Sequence, residues 1–70
     1  MYGYKKIAEE LQKTALGEAH YGNALRVAKD IPEITAEESG VLDAWATGKY
    51  SFENRMDLQD IAIKIRQLLN

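Results

Sequence analysis

The strongest constraint on this chain is the spacing of apolar residues in its last third. Leu58, Ile61, Ala62, Ile65, Leu68 and Leu69 recur every three or four positions, with Phe52 and Met56 extending the series backwards. That period belongs to one face of an α-helix and to no strand. The stretch IAIKI alternates as a short strand would, but no second strand segment exists to pair with it, and the helical period continues to Leu69. A helix over about 52–69 therefore needs other helices to cover it.

Three more segments have the pattern to do so. YKKIAEELQKTAL sets Ile7 and Leu11 on one face with Ala8 and Ala15 beside them, predicting a helix over about 5–16. NALRVAKDI, with Asn23 as its expected cap, sets Val27 and Ile31 on one side, predicting a helix over 23–31 that Pro32 ends. Gly17 and Gly22 leave two arrangements open for the first half: a bent continuous helix, or two helices joined by a turn. In the third segment Thr35 and Glu38 stand three apart, the spacing of a capping box, and Val41, Leu42, Trp45 and Ala46 supply an apolar face up to Gly48. This predicts a helix over 36–47. Ser51 or Asn54 is the expected cap of the last one. The expected fold is an all-α bundle of three to four helices in a single domain over 1–70, with Ile7, Leu11, Val27, Ile31, Leu42, Trp45, Phe52, Met56, Leu58, Ile61, Ile65 and Leu68 as its core.

Seventy residues give one small core, usually able to supply roughly 3–5 kcal/mol, so self-association or docking on another protein is a natural supplement. The chain has no cysteine, which removes disulfides and thiolate metal sites. No apolar run is long enough for a transmembrane helix, and MYGYKKIAEE lacks the apolar stretch of a secretory signal. These features predict a soluble cytoplasmic protein, in the style of a small bacterial or phage accessory protein.

The residues offer little to chemistry. His20 is the single histidine, and one histidine without cysteine is a poor basis for a zinc site or a nucleophilic triad. The glycines form no phosphate-binding loop. No cofactor and no enzymatic activity are expected. For nucleic acid, residues 24–42 can be laid on a helix-turn-helix, but its second helix brings Glu37 and Glu38 towards phosphate, the wrong sign for backbone contact. A weak basic patch from Lys5, Lys6, Lys13, Arg26 and Lys29 is the alternative basis for DNA or RNA binding, although glutamates interleave it.

Protein interaction remains as the leading expectation. Residues 31–50 hold four acidic residues (Glu33, Glu37, Glu38 and Asp43) against one lysine, an acidic segment that either meets a basic partner or is simply solvated. Glu37 and Glu38 also belong in a first helical turn, where exposed amides favour negative charge. Ile63 falls off the core stripe, and Tyr2, Tyr4 and Arg66 are further contact candidates. The chain is thus expected to self-associate, to regulate a larger protein partner, or both.

Overall fold

The computed structural model describes residues 3–51 and 53–69, so the expectations placed on Tyr2 and Phe52 lie outside the described residues. The architecture is a four-helix, all-α bundle without strands among the described residues: α1 (Tyr4–Ala15), α2 (Gly22–Ala28), α3 (Ala36–Ala46) and α4 (Asn54–Gln67). Each helix packs on its neighbours in sequence, and α4 closes the ring on α1 in the most extensive of these contacts.

Two glycines end helices in the same way. Gly17 has φ +79°, the N–H of Glu18 donates to Lys13 O (3.0 Å), and that of Gly17 donates to Thr14 O (3.1 Å). Gly48 has φ +77°, with Lys49 N–H donating to Ala44 O (2.8 Å) and Gly48 N–H to Trp45 O (3.4 Å). Both are Schellman stops, which need a left-handed residue just past the helix. The first half is therefore two helices and not one bent one.

The turn between them is held by a residue that the apolar pattern does not single out. Thr14 is buried; its Oγ1 donates to Glu10 O (2.9 Å) and accepts the N–H of Tyr21 (3.2 Å), the residue that precedes α2. Asn23 is not the cap of α2: it lies inside the helix, where its Oδ1 accepts from Arg26 (2.6 Å). The α2 helix also stops at Ala28, short of the expected end at Ile31. Ile31 is still buried, carried inward by tighter turns in which Asp30 and Ile31 donate to Val27 O and Ala28 O.

The capping box of α3 is complete: Glu38 N–H donates to Thr35 Oγ1 (3.1 Å) and Thr35 N–H to Glu38 Oε1 (2.9 Å). At the other end of α3, Trp45 is buried, donates from its indole to Asn54 O (3.3 Å) and stacks on Tyr50 with ring centroids 3.8 Å apart. That contact ties the end of α3 to the start of α4. Glu53 stands at the cap position of α4 without a side-chain bond to it, while Ser51 donates to Asn54 Oδ1 (3.2 Å).

The core consists of Ile7, Ala8, Leu11 and Ala15 from α1, Ala24, Leu25 and Ala28 from α2, Ile31, Leu42 and Trp45, and Leu58, Ile61, Ala62 and Ile65 from α4. Val27 and Leu68 are half-buried against its edge. Met56 is a correction, since it is 61% exposed. It precedes Leu58 by two positions, roughly 200° around a helix, so it points away from the core that Leu58 enters.

Candidate functional site

The residues expected to make contacts divide into three groups. Tyr4 is half-buried and packs against the core, so its ring serves the fold. Asp43 pairs with Lys29, which ties α3 to the chain just after α2, and Glu33 is exposed in that connection. Glu37 and Glu38 lie on the other side of α3, facing α4. The acidic segment is therefore divided and does not form one face.

What gathers around α4 is more concentrated. Ile63 is 54% exposed, and it stands two positions before the buried Ile65 just as Met56 stands two before Leu58. Met56 and Ile63 are seven apart, about two turns, and so share the outer face of α4. Asp60 lies between them, four residues after Met56 and three before Ile63. One helix thus carries two apolar faces, a wide one sealed in the core and a narrow one open to solvent.

A cleft runs along each side of that outer face. Between α3 and α4 it has a volume of about 360 Å³, with Val41 and Ile61 at its apolar base and Glu37, Glu38, Asp57 and Asp60 around it. Lys64 donates to Glu38 Oε1 at 2.7 Å, and this bond, with the N–H of Thr35, holds the Glu38 carboxyl below its ordinary value. No ion pair reaches Glu37, Asp57 or Asp60 among the described residues, so the cleft keeps an excess of negative charge. On the opposite side, between α1 and α4, a cleft of about 310 Å³ is lined by Gln12, Gln59, Ala62, Ile63, Arg66 and Gln67. There Arg66 Nη2 reaches Gln12 Oε1 at 3.4 Å.

Ile63 and Arg66 are contact candidates from the sequence, which places Met56 in the core instead. The signal for the outer face was present in the i, i+4, i+7 spacing of Met56, Asp60 and Ile63, a second helical stripe hidden beside the stronger one.

The basic residues form no comparable assembly. Lys5, Lys6 and Lys13 are exposed on α1, Arg26 is bonded to Asn23, and Lys29 is committed to Asp43. His20 is exposed in the turn before α2, and no group of three or more histidine, cysteine or acidic side chains placed to hold a metal ion occurs among the described residues. No helix among the described residues is long and apolar enough to cross a membrane. No protein-family model matches the chain, and no curated protein or solved structure matches it either.

Proposed function

We propose that this chain is a small noncatalytic interaction module of the cytoplasm that docks on and regulates a larger protein partner through the outer face of α4. The observation that carries this reading is the exposure of Met56 and Ile63 on a helix whose other face is fully used by the core. Helical recognition commonly uses apolar anchors at such spacing. The noncatalytic part rests on the sequence, which has one histidine, no cysteine and no nucleophile tied to a base.

Self-association through the same face is the weaker form of the reading. The sequence pattern of a coiled-coil seam is apolar a and d positions sustained over about three to four heptads. The α4 helix has 14 residues and shows two large apolar side chains on this face.

The test is quantitative affinity capture from the native host, comparing the wild-type chain with a Met56→Ser/Ile63→Ser variant. A protein enriched by the wild type and lost with the variant is the expected result. Identical captured sets overturn the assignment of α4.

A further inference from the structure

The charge beside the α4 face selects among the occupants it can take. We infer that its partner is a basic amphipathic helix, seated over Met56 and Ile63 with its cationic side in the α3–α4 cleft. This inference rests on the docking role proposed above and adds the chemistry of the partner.

The two flanks of the outer face differ in charge. Towards α3 the outer face is bordered by Asp57 and Asp60, with Glu37 across the cleft. Lys64, the cation on that side, is held by Glu38. Towards α1 the border is Gln59, Gln67 and Arg66, the last in contact with Gln12. A ligand helix that buries apolar residues on Met56 and Ile63 thus meets unbalanced carboxylates on one side and amides with an arginine on the other. Lysine or arginine along one flank complements this pattern; glutamate or aspartate there faces repulsion.

The same asymmetry disfavours a second copy of the chain. In an antiparallel two-fold pairing, equivalent flanks meet, so the acidic flank of each copy lies against that of the other. A parallel pairing avoids this clash but leaves only Met56 and Ile63 as large apolar seam residues on this face, short of the repeated apolar pattern of a coiled coil. Phosphate-bearing ligands are disfavoured by the sign of the cleft.

Two synthetic amphipathic helical peptides test the inference, identical in their leucine face and carrying either lysine or glutamate at the flanking positions. Binding is measured by titration calorimetry at low and at physiological salt. The expected result is that the lysine peptide binds the wild-type chain, at least about tenfold tighter than the glutamate peptide, and that salt weakens it. Ile63→Ser and Asp57→Asn/Asp60→Asn are each expected to weaken it by about tenfold. The variant Glu9→Gln/Glu18→Gln, altered on α1 and in the turn after it, is expected to bind as the wild type does and so excludes general attraction to an acidic protein. Equal binding of the two peptides, or unchanged binding by the Asp57/Asp60 variant, overturns the inference. So does a wild-type dimer in sedimentation that Ile63→Ser dissociates, because the occupant is then a second copy. If α4-dependent capture from the host succeeds while the peptides are not distinguished, the docking role stands and the charge assignment falls.

Discussion

A few side chains in this protein do two jobs at once, and Glu38 is the clearest of them. It accepts the Thr35 N–H in the capping box of α3 and also binds Lys64 of α4, so it joins the start of one helix to the flank of another. Its carboxyl is held below the ordinary value of 4.5, first by the Lys64 hydrogen bond and then by the Thr35 N–H. A depressed folded-state value means that the contribution is fully present above 4.5 and is lost as pH falls through the lower folded value. Urea midpoints measured from neutral pH down into that acidic range should fall more for the wild type than for Glu38→Gln. Thr35→Ala, which removes the reciprocal bond, should cost about 1 kcal/mol at neutral pH in the same assay. Thr14 is the other such residue. Thr14→Val keeps the shape but leaves Tyr21 N–H without its acceptor, and about 1–2 kcal/mol of stability should be lost. The capping box was legible in the sequence because both partners are three residues apart. Thr14 was not, because its partner Tyr21 lies seven residues away across a turn whose path no local pattern specifies.

At the level of the helices, the glycines separate into stops and passengers. Gly17 and Gly48 hold left-handed backbone, whereas Gly40 lies within α3 with open space where a Cβ would be built. Gly48→Ala should therefore destabilise by about 1–2 kcal/mol, while Gly40→Ala should stabilise by about 0.5–1 kcal/mol. Thermal or urea unfolding of the two variants should shift in opposite directions. Periodicity was enough to place the apolar face of each helical segment, at a spacing that survives small errors in the ends, but it left open whether the first two segments form one bent helix or two. The ends themselves were less legible: α2 is shorter than the 23–31 expected, since Ile31 reaches the core through a tight turn rather than a helical one. Met56 was misread for a related reason. Extending a stripe backwards by eye ignores the fact that two residues are more than half a turn, and a methionine near the start of a helix fits either face by composition alone.

Taken as a whole, the bundle closes on itself. Its radius of gyration is 10.6 Å, against roughly 11 Å expected for a compact chain of this length. The outer face of α4, with Met56 and Ile63 exposed, lies outside the core, and this is what links the fold to the proposed docking role. The site was only partly visible in the sequence, because the acidic cleft joins Glu37 and Glu38 to Asp57 and Asp60 from two helices, and their meeting depends on how α3 packs on α4. The two-sidedness of α4 is tested most directly by urea denaturation of Ile63→Ser beside the wild type. With Ile63 on a spare face, the two stabilities should agree within about 0.5 kcal/mol. A loss of about 2 kcal/mol or more would show that Ile63 belongs to the core, contradicting both the packing of α4 described here and the function proposed for it.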